Sequence, residues 1–196
     1  MTAPAAAGDA RTPSIRPLVP GDLAAYRGVR LRGLAEHPDA FSSSYEEEAT
    51  PEGDARMARR LAPSPQAPHD GMLGAFCGGE LVGTIGLTVD MRAKLRHRGL
   101  VVGMYVVRER ARQGIGAALL AAQVDRARTI PGLASLALTV TDGNDAARRL
   151  YERAGFAVAG RDPDAVRVDG VAYDKLVMIR RLAADLPAIH DPRSTR

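Results

Sequence analysis

The chain has 196 residues, enough for one domain that buries a core without disulfides or metals. Its 45% hydrophobic and 26% charged residues are those of a soluble globular protein, and with 4% aromatics and no Trp the core must be aliphatic and alanine-rich. The net charge of +4 is carried almost wholly by Arg, with Lys only at Lys94 and Lys175, a bias that fits a G+C-rich genome. It also suits attraction of a polyanionic ligand. Acidic residues are interspersed and no aromatic-plus-basic stripe occurs, which argues against a nucleic-acid partner. Cys77 stands alone in a strand-like stretch, so a disulfide framework and zinc spacing are excluded and a buried, inert thiol is expected.

In chain order, residues 1–13 are rich in Ala and Pro without an apolar stretch after a basic start. They read as a disordered tail and not as a signal peptide. No apolar run approaches the ~18–20 residues needed to span a bilayer, so no membrane partner is expected and a cytoplasmic location follows. Residues 183–196 read as a second tail, leaving one domain over 14–182.

Ile15-Arg16-Pro17-Leu18 reads as an edge strand, where a proline is tolerated. Asp22 is placed as the N-cap of a first helix, with Leu23, Tyr26, Val29/Arg30 and Leu34 at near-helical spacing up to His37-Pro38. The acidic run Glu46-Glu47-Glu48 reads as a loop, followed by a helix from Pro51 to Leu61. Pro63, Pro65 and Pro68 mark a loop before a hairpin of Met72–Cys77 and Leu81–Val89 turning at Gly78-Gly79-Glu80. Met91 to Arg98 is a strongly basic connector, by default solvated.

Leu100 to Val107 is a near-continuous apolar run and so is expected to be a strand buried on both faces. A helix from Gly114 to about Arg128 follows, then a buried strand, Leu136–Thr141. Asn144–Ala154 is a helix ended by Gly155 at positive φ. Phe156–Gly160 starts a strand, and a last hairpin joins Ala165–Val168 to Val171–Ile179 around Asp169-Gly170. The order β-α-α-β-β-β-α-β-α-β-β predicts an α/β protein with a mixed sheet, not a regular doubly wound one.

The segment Arg112-Gln113-Gly114-Ile115-Gly116-Ala117 lies between a buried strand and a helix. Helix N-termini present unpaired N–H groups and partial positive charge, and glycines let a phosphate approach the main chain. A pyrophosphate cradle is the prediction, against a tight turn with no ligand. A P-loop is excluded because Ala117-Ala118 follows Gly116, and a dinucleotide fingerprint because Leu119 stands where Gly or Ala is required.

Ala111-Arg112-Gln113-Gly114-Ile115-Gly116 resembles the acetyl-CoA pyrophosphate motif of the GNAT superfamily, Arg/Gln-x-x-Gly-x-Gly/Ala, departing from it at Ala111. Asn144-Asp145-Ala146-Ala147-Arg148-Arg149-Leu150-Tyr151-Glu152-Arg153-Ala154-Gly155-Phe156 is similar to the family's second cofactor segment at every specified position. Taken alone, Asn144 reads equally well as an N-cap and Tyr151 as a packing residue. The two motifs in order, in a β-α-β-α context, carry the resemblance, which extends over about residues 14–182. It implies a GNAT-like fold of about 6–7 strands and about 4 helices.

The resemblance implies an N-acetyltransferase that uses acetyl-CoA as cosubstrate and acetylates a small-molecule or peptide amine by direct attack. It implies cofactor contacts at Met104, Tyr105, Val106, Arg112, Gln113, Gly114, Ile115, Gly116, Ala117, Asn144, Ala147 and Tyr151, with no metal. Tyr151 is the candidate general acid for the departing thiolate, the milder role being a hydrogen bond to the sulfur. Glu46, Glu47, His97 and a water relay all stay open as the proton acceptor. The acidic run mildly favours a cationic acceptor. A homodimer through the final strands or a sheet edge suits the family, although no residue marks it. The alternative, favoured by Ala111, is a CoA-binding regulatory module of the same fold with little or no catalysis.

Overall fold

Alternating β-branched and aliphatic residues put seven strands into one sheet of order β1-β2-β3-β4-β5-β7-β6 in the computed structural model, which describes residues 13–62 and 64–182. The two tails expected from the sequence lie, but for Pro13, outside the described residues. The strands are β1 (Ser14–Pro17), β2 (Gly71–Cys77), β3 (Glu80–Val89), β4 (Arg98–Val106), β5 (Ser135–Thr141), β6 (Ala157–Val168) and β7 (Val171–Arg181). The helices are α1 (Leu23–Glu36), α2 (Tyr45–Glu48), α3 (Pro51–Leu61), α4 (Ile115–Arg128) and α5 (Asp145–Arg153). Neighbouring strands are antiparallel except β4 and β5, which are parallel, so the mixed α/β sheet expected from the sequence is the one observed.

Both alternations of β2 and β3 are buried, as strands covered on two faces must be. α1 packs on β3 and β4 and against α3, while α4 packs on β1 to β4. The core is aliphatic, built on side chains such as Leu34, Ile85, Leu119, Leu120 and Leu136, each at most 1% exposed. Cys77 is buried and free, as expected. Pro17 sits in β1, which pairs only with β2 at the sheet edge, where its missing N–H costs no ladder bond.

Four local expectations change. Asp22 is the N-cap residue of α1 by position but makes no side-chain cap bond: its carboxylate turns back to accept from the Val19 N–H (2.9 Å) and from Arg16 (2.7 Å), closing the turn before the helix. The acidic run is not a loop but α2, because Ser44 and Glu47 form a reciprocal capping box, Ser44 Oγ accepting from the Glu47 N–H at 3.2 Å and Glu47 from the Ser44 N–H at 2.9 Å. Ala157–Gly160 and Ala165–Val168 belong to a single twelve-residue strand, β6, which begins one residue after Phe156 and whose two register shifts disguise its alternation.

The fourth change opens a cleft. β4 is not buried on both faces: Leu100 is 44% exposed, and Val102, Gly103 and Met104 are only half-buried. The parallel pairing of β4 with β5 stops after Leu100↔Ala137, although both strands run on. A bulge accompanies the parting. Two steps along β3, Thr84 to Gly86, match three along β4, Tyr105 to Val102. The extra residue requires Gly103 at φ +60, and Thr84 Oγ1 donates to the Gly103 carbonyl at 3.0 Å. A bulged strand bends, so β4 and β5 splay and their apolar side chains line a cleft.

Candidate active site

The cleft has a volume of about 1190 Å³. Its floor is β4 from Leu100 to Val106 and β5 from Leu138 to Thr141. One wall is the loop between β4 and α4, with Arg110, Ala111, Arg112, Gly114, Gly116 and Ala117. α5 and its N-cap residue add Asn144, Ala147, Leu150 and Tyr151. Met72 of β2 and Thr88 of β3 also line the cleft, and the rest comes from α1, α3 and the α1–α2 connection, including Tyr26, Arg30, Phe41, Ser42, Ser43 and Arg60.

The loop has the shape of an anion cradle. Arg112 at φ 60 and Gly114 at φ 80 stand in the left-handed region between residues of negative φ, a turn that points successive N–H groups into one concavity. Gly114 is the residue before α4, so the N–H groups of Ile115, Gly116 and Ala117 have no partner inside the helix. No heavy atom lies within 4 Å of where a Cβ on Gly114 would stand, whereas a Cβ on Gly116 would lie 3.3 Å from Met104 Cε. The donors, the helix dipole and the open approach fit a phosphate.

Of the residues marked by the sequence, Met104, Tyr105, Val106, Arg112, Gly114, Gly116, Ala117, Asn144, Ala147 and Tyr151 line the cleft together. Two do not. The Ile115 side chain is 2% exposed in the core, leaving only its main chain at the loop. Gln113 turns its amide back to donate to the Glu109 carbonyl at 3.2 Å. Asn144 caps α5, its Oδ1 accepting from the Ala147 N–H at 3.1 Å, and the residue also lines the cleft.

Tyr151 is buried, its ring in an edge-type pair with Phe156 at 6.1 Å between centroids and its hydroxyl 3.5 Å from Met104 Sδ. Burial pushes its phenol up to about 12, so it keeps its proton throughout the neutral range. The Tyr105 side chain instead runs under α1, where it packs on Gly33 and donates to Glu36 Oε2 at 2.7 Å.

None of Glu46, Glu47 and His97 lines the cleft. Glu47 is held by its capping box, and His97 is exposed in the connector before β4. Sequence reasoning missed Tyr26, Arg30 and Arg60. The available signal was Arg30, a cation lodged in the apolar stripe of α1. Among the described residues no group of His, Cys, Asp or Glu is placed to hold a metal, and no helix is long and apolar enough to cross a membrane.

Solved structures share this architecture at low identity. An acetyltransferase of the GNAT family from Streptococcus pneumoniae superposes with a TM-score of 0.72 at 23% identity, covering 87% of this chain and 99% of that one. YncA of Salmonella typhimurium, a structure with its cofactor acetyl-CoA, gives 0.70 at 22% identity over 92% and 99%. NAA60 of Arabidopsis thaliana, in complex with a bisubstrate analogue, gives 0.66 at 21% over 87% and 98%. No curated protein matches the chain. The model of the acetyltransferase (GNAT) family matches residues 35–156, from the end of α1 through the splayed strands and the loop to Phe156. With more than half its length inside that match, the chain belongs to the GNAT family of acetyltransferases.

Proposed function

We propose that the protein is an N-acetyltransferase that moves the acetyl group of acetyl-CoA to a primary amine of a small molecule or peptide by direct attack. Transfer of acetyl groups from acetyl-CoA is the activity of the family. The observation that carries the finer reading is that one cleft holds both an anion-shaped loop and a buried, protonated phenol. One domain over residues 14–182 is proposed to hold the whole site.

Acetyl-CoA supplies an acetyl group activated as a thioester, and with it a thiol leaving group. The N–H groups at Gly114, Ile115, Gly116 and Ala117 are proposed to hold its pyrophosphate, with Arg110 and Arg112 adding the charge that Ala111 lacks. Main-chain groups from Met104 to Val106, where β5 no longer takes up the edge of β4, orient the pantetheine. A β4 N–H there polarises the thioester carbonyl, a fixed donor aimed at developing negative charge. Asn144 and Ala147 border the same channel.

As the amine nitrogen bonds to the carbonyl carbon and the carbon–sulfur bond breaks, the Tyr151 hydroxyl donates its proton to the sulfur. A phenol raised by burial is a weak acid but a reliably protonated one, as a donor to a thiolate must be. No carboxylate lines the cleft among the described residues, so water is the proposed carrier of the amine's proton, which returns to the Tyr151 oxygen and restores the phenol.

The test is thiol release from acetyl-CoA across a panel of amines, with calorimetry of CoA binding alongside. Turnover supports the transferase. Tight CoA binding without turnover on the whole panel favours the binding module that Ala111 suggests, and absence of CoA binding overturns both.

A further inference from the structure

We infer that the acceptor amine also carries a carboxylate, which Arg30 and Arg60 seat in the α1–α3 wall of the cleft. The inference rests on the acetyltransferase reading and names the substrate class of that same site.

Arg30 lies on α1 with its side chain only 8% exposed, yet it lines the cleft and its Nε is buried without a partner. Its guanidinium stacks 4.7 Å above the Phe41 ring. Arg60, from α3, comes to the same wall, its Nη1 3.4 Å from the Tyr26 hydroxyl. Both guanidiniums share one acid, Glu48, which is fully buried behind them. Glu48 Oε1 stands 3.6 Å from Arg30 and 3.5 Å from Arg60, and neither of its oxygens is hydrogen-bonded.

Two cations facing one carboxylate leave a net positive charge and an excess of donors. Guanidiniums in a partly buried pocket are matched to planar oxyanions, which accept two parallel N–H bonds. Nothing in the cleft supplies that anion, since no Asp or Glu lines it among the described residues. The other four arginines of the lining, Arg110, Arg112, Arg149 and Arg153, belong to the loop and to α5, on the cradle side. A polyamine would meet uncompensated positive charge at Arg30 and Arg60. This reverses the cationic preference suggested by the acidic run, because Glu46 and Glu47 lie off the cleft and Glu48 sits behind the arginines.

The experiment uses the full chain and matched triplets of amines: an α-amino acid, its primary amide and its decarboxylated amine, with several side chains. Thiol release at saturating acetyl-CoA should favour the acids by about 10–100-fold in kcat/KM, the range of a charge-assisted hydrogen-bonded pair. Arg60→Gln should raise the acceptor KM by about tenfold or more and narrow the gap between acid and amide, leaving the acetyl-CoA KM unchanged. Arg60→Lys, which keeps a charge beside Glu48, should fall between, and a thermal melt checks that each variant folds.

Equal turnover of amides and acids overturns the inference, as does an Arg60→Gln effect confined to acetyl-CoA. If acetyl-CoA binds but no amine turns over, the catalytic reading fails. The carboxylate site is then decided by calorimetry of the same triplets on CoA-loaded protein, where acid-only binding supports it and indifference sinks it.

Discussion

The hydroxyl of Tyr151 lies 3.5 Å from the Sδ of Met104, which joins the α5 motif to the splayed part of β4. A thioether is a weak acceptor, so the phenol's position is set by ring packing more than by its hydrogen bond. Tyr151→Phe keeps that packing and removes only the donor. Stability should change by less than about 1 kcal/mol. The rate of thiol release should fall by about 10²–10⁴-fold, the usual contribution of a positioned acid. A melt paired with steady-state kinetics separates the two, and an undiminished rate would remove Tyr151 from the chemistry.

The same phenol gives an alkaline signature. Its native pKa of about 12 lies above the ordinary value of 10.0 because burial penalises the phenolate. A raised native pKa adds stability that is complete below pH 10 and is lost as pH rises through about 12. Burial also pushes Tyr105 up, and its bond to Glu36 adds to the effect. Ultraviolet titration should therefore show phenol ionisation extending above the ordinary value, reduced in Tyr151→Phe, and Tyr151→Phe should lose less stability between pH 10 and 12 than the parent chain. Identical alkaline slopes would contradict the burial argument.

Gly114 and Gly116 should fail for different reasons. Gly114 stands at φ 80 with open space around it, so Gly114→Ala meets no clash but costs about 1–2 kcal/mol of backbone strain. Relaxation of that strain would turn the N–H groups of the loop, and CoA affinity should drop at least tenfold. In Gly116→Val the added methyls meet Met104 and Leu150, whose nearest atoms are 3.3 and 3.4 Å from the Cβ position. That variant should hold its fold and lose CoA binding through a filled approach. Calorimetric titration with CoA reads both, and wild-type affinity in either would show that the loop does not hold the phosphates.

Lys175 and Thr141 reach across the chain to hold the wall proposed for the acceptor. Lys175 Nζ donates to the Ala40 carbonyl at 2.9 Å and Thr141 Oγ1 to the Asp39 carbonyl at 3.0 Å. Both fasten the turn that leads into Phe41, Ser42 and Ser43. Burial pulls the Lys175 ammonium below its ordinary range. Lys175→Met leaves the Ala40 carbonyl without this donor and should cost about 1–3 kcal/mol. The acceptor KM should rise several-fold with the acetyl-CoA KM unchanged. A variant that weakens both substrates equally would assign Lys175 to general stability.

What the residues alone decide and what folding decides divide along physical lines. Motifs that act through the main chain are local, so Gly114, Gly116, Asn144 and Gly155 could be read from their neighbours. Turn chemistry and helix capping need only a few adjacent residues. The α2 helix was legible in Ser44-x-x-Glu47 by the same logic, although the acidic run hid it. β4 was misread because an apolar run looks alike whether it faces a second layer or an empty cleft. Only the bulge at Gly103 and the parting from β5 distinguish these cases. The acceptor wall lies furthest from the sequence. Arg30, Glu48 and Arg60 come from three helices, and their sum of charge exists only once α1, α2 and α3 pack together. The sequence by itself determined the family, the order of the elements apart from α2, and the glycine-bearing turn before α4, because these rest on local backbone chemistry. The tertiary structure alone decided which charges line the cleft, because burial and long-range neighbours set both the sign and the strength of an electrostatic site.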